Sequence, residues 1–382
     1  MKMRKTNRVV VSGVGALAGI LILGLNGTAF AFHQGGVAHC DGCHSMHNSA
    51  ENLVTGAPTG QLLKGTDPSS TCLNCHGGTG GERVLSTDAT NWSPGGDFFW
   101  LTESYTNDSV TSDPDNMGHN VVAGAFGLTA DATNLQAPGG SFISSTLGCE
   151  SCHDPHGQVA GGTGSGGLPV SVSGSYGAVP VAGTTAGNYR LLGSTGYGSI
   201  AAAAPIAATA GFGESDTSHV AYGQGMAEWC ASCHTSYTSG AIDKHPSGNL
   251  ELLGGTLAGN YNAYVATGDF LGGAGADAYL QFVPFERQET DKTVLLAGVT
   301  STQGPIGGEN VMCLTCHRAH ASAFNNIGRW NFDDELLEEG YPTDQNLVDM
   351  GAVANADYYG RDIAIDFGDY QRSLCNKCHV QD

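Results

Sequence analysis

Residues 40–47 read CDGCHSMH. Cys40, Cys43 and His44 form a C-x-x-C-H unit, and a second histidine, His47, follows three residues later. The unit recurs at Cys72/Cys75/His76, Cys149/Cys152/His153, Cys230/Cys233/His234, Cys313/Cys316/His317 and Cys375/Cys378/His379, which uses all 12 cysteines. An even cysteine count in a secreted chain ordinarily suggests disulfides. A lone C-x-x-C suggests a thiol redox pair, and two such units suggest a zinc site. None of these explains a histidine at one fixed offset six times. C-x-x-C-H is the attachment signature of c-type haem. Its cysteines form thioethers to the haem vinyl groups, and the adjacent histidine lies under the iron as the proximal ligand. Six haem c groups are therefore expected, with His44, His76, His153, His234, His317 and His379 as proximal ligands.

The remaining histidines are His33, His39, His47, His119, His156, His219, His245 and His320. Six of these eight would saturate every iron. Methionine is the rival distal ligand and would raise the potential; the candidates after residue 31 are Met46, Met117, Met226, Met312 and Met350. The sufficiency of histidine favours bis-histidine ligation throughout. CHSMH (43–47), CHDPH (152–156) and CHRAH (316–320) each place a histidine three residues beyond a proximal one. Two imidazoles on opposite sides of one iron hold their Cβ atoms about 11–12 Å apart, for metal–nitrogen bonds of about 2 Å. Residues i and i+3 of a helix have Cβ atoms only ~5–6 Å apart. Three extended residues span at most ~11 Å, with side chains that do not face each other. As ligands, His47, His156 and His320 would each reach a different haem and so bring two haems close. His33, His119 and His245 complete the expected distal set. His39 is crowded against Cys40, and His219 lacks a clear context; these two are the expected spares.

The N-terminus reads as a cleaved signal peptide, residues 1–31: four cationic side chains in MKMRKTNR, an apolar run from Val9 to Leu25, and Ala29-Phe30-Ala31 before Phe32. Residues 32–382 would then form a single hexahaem domain with no further apolar span. With four of the 15 basic and none of the 36 acidic side chains in the signal, the mature chain carries a net charge of −25. That excludes nucleic acid, which needs basic patches. It also opposes self-association unless a specific force drives it. Glycine supplies 58 residues, and ordering such a chain is entropically expensive. Haems already tied to the backbone would provide the apolar interior that the side chains do not.

The first cysteines of successive motifs are 32, 77, 81, 83 and 62 residues apart, so no solenoid period exists. Mostly coil, with short helices and few short strands wrapped around stacked haems, is the expected fold. GMAEWCASCH (225–234) and DYQRSLCNKCH (369–379) put motifs near helix ends. LAGNYNAYVATG (257–268) is a helix candidate, and FDDELLEEG (332–340) reads as a short helix stopped by Gly340. Residues 157–213, rich in Gly, Ala, Ser and Thr, are expected as an ordered loop over a cofactor.

FHQGG, CDGCHSMHNS, CLNCH, PGGDF, GHNVVAG, CHDPHG, VAYGQGMAEWCASCH, CHRAHAS and YQRSLCNKCH together resemble the hexahaem OmcS-type extracellular cytochromes of metal-reducing bacteria, from the mature N-terminus to the last residues. Residues 157–213 and 331–350 look less like that family. The resemblance implies polymerisation into filaments with a continuous haem chain and bis-histidine ligation at every iron. It implies His33, His47, His119, His156, His245 and His320 as the distal set. It further implies that His47 ligates the haem of Cys313, Cys316 and His317 in the next subunit.

An electron conduit is the function these features suit, delivering electrons to extracellular acceptors such as metal oxides or partner cells, with redox cytochromes as partners. A monomeric periplasmic shuttle could use the same cofactors. A multihaem reductase would need an open iron, often flagged by C-x-x-C-K, which does not occur. A mineral-binding fibre is compatible with the conduit. Haem propionates add negative charge, so bridging divalent cations at the surface or interfaces are also expected.

Overall fold

A computed structural model of the chain describes residues 40–45, 62–78, 83–87, 95–102, 104, 106–107, 110–111, 113–155, 189–209, 217–237, 245–267, 275–280, 283–333 and 375–379. In chain order the described helices are α1 (Cys40–Cys43), α2 (Pro68–His76), α3 (Met226–Cys230), α4 (Gly255–Thr267), α5 (Lys292–Gly298), α6 (Cys313–Cys316) and α7 (Cys375–Cys378). The strands are β1 (Thr106–Asn107), β2 (Val110–Thr111), β3 (Ile206–Thr209) and β4 (Val220–Gln224), forming two separate antiparallel pairs. Short 3₁₀ turns and coil make up the rest, as the motif spacing and glycine content led one to expect. No described helix is long and apolar enough to cross a membrane.

Three of the described helices, α1, α6 and α7, are a single turn because each is one C-x-x-C segment and nothing more. C-x-x-C spans one turn, so residues i and i+3 share a face. The histidine N–H then closes the turn on the first cysteine's carbonyl: His153 to Cys149 at 2.9 Å, His234 to Cys230 at 3.1 Å, His317 to Cys313 at 3.0 Å and His379 to Cys375 at 3.1 Å. α2 begins earlier because Asp67 caps it, accepting from the Ser70 N–H at 2.7 Å, and Pro68 fits the first helical position.

α4 realises the helix expected at 257–268 and starts two residues earlier. Ala258, Tyr261 and Val265 fall on one face at helical spacing and are buried. They pack with Leu280, Phe285 and Trp330 in a cluster bordered by Cys316 and Cys378. A second cluster gathers Leu73, Phe98, Phe99, Trp100 and Met117, and a third gathers Tyr189, Tyr222, Met226 and Met312 beside Cys230. The apolar interior is thus divided into pieces, two of them bordered by motif cysteines and one containing Leu73 from inside a motif.

The biased run 201–210 contains β3, which pairs antiparallel with β4 through Ala207↔Tyr222, Ala208↔Ala221 and Thr209↔Val220. Ala208 and Ala221 are small enough for Leu295 of α5 and Val299 to pack over them. The part of the expected loop at 157–188 and 210–213 lies outside the described residues, as do 334–340 of the helix expected at 332–340.

Candidate haem sites

Two imidazoles that bind one metal from opposite sides, at bonds of about 2 Å, place their ring centroids about 6 Å apart. Among the described residues, three histidine pairs meet that requirement. His153 and His320 lie 6.3 Å apart at 58°. His234 and His119 lie 6.0 Å apart at 53°. His379 and His245 lie 6.2 Å apart at 81°. Each pair joins a motif histidine to one from the expected distal set. His320 faces His153 rather than its sequence neighbour His317, which instead meets Phe332 edge-on at 5.6 Å.

The hydrogen bonds of these rings leave the metal-binding nitrogen available. Nδ1 lies against a backbone carbonyl for His153 (Arg190, 2.8 Å), His234 (Pro138, 2.8 Å), His317 (Asn326, 2.7 Å), His119 (Ala319, 2.7 Å), His245 (Pro246, 2.9 Å) and His320 (Gly96, 3.3 Å). A carbonyl only accepts, so Nδ1 carries the proton and Nε2 of the neutral ring keeps its lone pair. That is the usual arrangement behind a metal-bound imidazole. Burial holds His119 and His317 below the ordinary histidine range and, with His153 nearby, takes His320 down to about 3. Neutral ligands suit an iron site.

Glycines make room for two of these rings. A methyl group on Gly95 would stand 2.9 Å from His320 Nδ1, and Gly96, at φ +91°, would collide with the Ala321 carbonyl. In the second Pro-Gly-Gly turn, a methyl group on Gly140 would overlap the Cys233 carbonyl, while Pro138 receives the His234 ring. Phe98 stacks on His320 at 4.8 Å and 25°.

The cysteines are arranged in sequence order. The thiols of Cys72 and Cys149 share a hydrogen bond, and so do those of Cys230 and Cys313. Cys43 is within electrostatic reach of Cys72, Cys233 of Cys152, and Cys375 of Cys316. Each motif therefore neighbours the next along the chain. Among the described cysteines none is in a disulfide. Burial pushes the Cys152 and Cys316 thiols up to about 12 and Cys378 to about 11. No cluster of three or more His, Cys, Asp or Glu side chains forms a bare-ion site among the described residues. The residues present fit haem c.

His33, His39, His47 and His156 lie outside the described residues, so the partners of His44, His76 and His317 rest on the sequence. His219, an expected spare, is buried and stacks on Tyr279 at 3.7 Å. Met117, Met226 and Met312 are buried in apolar clusters. Sequence reasoning missed the carbonyls that hold Nδ1, because a backbone acceptor has no residue signature.

No family model matches the chain. It is 42% identical to the C-type cytochrome OmcS of Geobacter sulfurreducens, over 93% of this chain and 95% of that protein. It superposes on the solved Outer Membrane Cytochrome S filament of that organism with a TM-score of 0.77 and 40% identity, over 92% of this chain and all of that one. With the cryo-EM structure of the OmcS nanowires from the same organism the TM-score is 0.72 at 39% identity, over 92% of this chain and all of that one.

Proposed function

This chain belongs to the OmcS family of c-type cytochromes, and we propose that it polymerises outside the cell into a filament that conducts electrons along a continuous chain of six haems per subunit. The observation that carries the reading is the trio of histidine pairs at 6.0–6.3 Å. Bound haem supplies a one-electron ferric/ferrous couple.

The chain's own residues do the rest. Cys40, Cys43, Cys72, Cys75, Cys149, Cys152, Cys230, Cys233, Cys313, Cys316, Cys375 and Cys378 tether the six groups. His153/His320, His234/His119 and His379/His245 close three irons, while His33, His47 and His156 serve the other three. Saturation of both faces leaves no position for substrate and makes this an electron carrier. The ordered proximity of motif to motif, from Cys43–Cys72 to Cys316–Cys375, sets the path.

The signal peptide, residues 1–31, directs the chain outward, and residues 32–382 form one unit. His47 of one subunit ligates the haem of His317 in the next. A metal–ligand bond between subunits is strong and directional, and it overcomes the repulsion of chains at −25 better than surface contacts would. Divalent cations on surface carboxylates offset the same charge. Electrons pass from partner cytochromes to extracellular acceptors.

The test is haem stoichiometry, electronic spectrum and electron microscopy of the secreted protein. Six haems per chain, wholly low-spin, in a filament are expected. Fewer haems, or discrete particles with a high-spin iron, would overturn the proposal.

A further inference from the structure

Motif Cys313–His317 is held by a buried cation. Arg329 is 1% exposed. Its Nε donates to the Leu314 carbonyl at 2.6 Å and to the His317 carbonyl at 3.1 Å, and its backbone N–H donates to Cys316 at 2.8 Å. A guanidinium remains protonated across the accessible pH range. A permanent positive charge is therefore fixed against both the attachment turn and the carbonyl of its histidine. Trp330, equally buried, belongs to the apolar cluster that borders Cys316, so water screens this charge little.

The buried carboxylate facing the same motif from its other end is Glu286, beside Cys313. Glu286 accepts from the Met226 N–H at 2.6 Å and from Asn310 Nδ2 at 2.7 Å, and its burial disfavours full ionisation.

Reduction adds one electron, and hence one negative charge, at the iron. A fixed positive charge nearby stabilises the reduced form over the oxidised one, which is one of the levers a protein has on haem potential. We propose that Arg329 is a positioning residue that raises the reduction potential of the haem tied to Cys313 and Cys316. An electron moving along the chain is then held more strongly on that haem than it would be without the charge. The inference depends on the reading of His317 as its proximal ligand. Because the same reading gives this haem its distal ligand from the next subunit, Arg329 sets the energy of the hop across the subunit junction.

The experiment is a spectroelectrochemical titration of the secreted, haem-loaded protein carrying Arg329→Gln or Arg329→Lys. Both replacements keep an N–H donor, and only the second keeps the charge. In Arg329→Gln one titrating component should move to lower potential while the others hold and the spectrum stays low-spin. Arg329→Lys should restore most of the shift. A Gln variant that superimposes on the unsubstituted protein would overturn the inference.

Should the Gln variant fail to load haem, Arg329→Met removes the charge while filling most of the same volume; one component should again move to lower potential, and a titration that superimposes on that of the unsubstituted protein would overturn the inference. A haemochrome assay giving fewer than six haems in the unsubstituted protein would instead overturn the underlying functional reading, before any potential is measured.

Discussion

His119 donates its backbone N–H to the carbonyl of His320 at 2.8 Å. Gly118 bridges Ala321 beside them, and the His119 ring is fixed by Ala319. Two residues about 200 positions apart, each opposite a different motif histidine, thus share one short antiparallel bridge. Residues 316–321 also carry His317. The sites of His153, His234 and His317 meet in six residues of backbone, which is the rigid coupling that closely spaced redox centres need.

Replacing either distal residue should open one iron and leave attachment intact. His320→Ala or His119→Ala is expected to retain all six haems, to turn one of them high-spin, and to bind about one carbon monoxide per chain when reduced. His219→Ala, which removes a ring stacked on Tyr279, should leave the haem spectrum unchanged. Magnetic or optical spectroscopy reads all three variants.

The glycine at the second Pro-Gly-Gly turn should be hard to replace. Gly140→Ala drives a methyl group into the Cys233 carbonyl and should cost about 2 kcal/mol or more. Gly124→Ala meets nothing within 4 Å and should change stability by less than about 0.5 kcal/mol. Thermal unfolding of the two variants side by side checks the contrast.

Lys292 makes stability depend on alkaline pH. The first residue of α5, it is 3% exposed, and burial takes it down to about 8. Folded Lys292 holds its proton less tightly than the unfolded residue does. Between pH 8 and about 10.5 the unfolded chain therefore binds more protons, and stability rises with pH. Below pH 8 Lys292 is charged in both states, and the folded state bears the cost of burying that charge. Lys292→Met should be more stable by about 1–3 kcal/mol at pH 7, with the difference shrinking as pH rises from 8 to 10.5. Denaturant unfolding at several pH values measures it.

The cofactor was legible in the sequence because c-type attachment is a contiguous code: CDGCH at 40–44 carries its two tethers and proximal ligand within five residues. The expected distal histidines were legible only as a set. The pairing of His320 with His153 depends on a fold that brings positions far apart in sequence to 6.3 Å, and no local pattern records it. What chain length could say was negative: His320 could not reach the iron of His317. The ordered loop expected over 157–213 missed a strand: Ala207 and Ala208 of AAAAPIAATA (201–210) pair with Val220–Gln224, which lies beyond the stretch.

Assembly should hinge on one histidine. His47→Ala is expected to abolish filaments and to leave one iron high-spin in the resulting monomer. Electron microscopy together with spin-state spectroscopy would show both losses in one sample. Loss of the ligand with filaments preserved would assign the junction to another residue.

A cryo-EM map of the secreted protein at a resolution that places imidazole rings is the most direct measurement of the wire. It should show iron between His153 and His320, between His234 and His119, and between His379 and His245, within a haem chain unbroken from subunit to subunit. Any of these three pairs parted from metal, or discrete particles holding an iron with an empty face, would contradict the account.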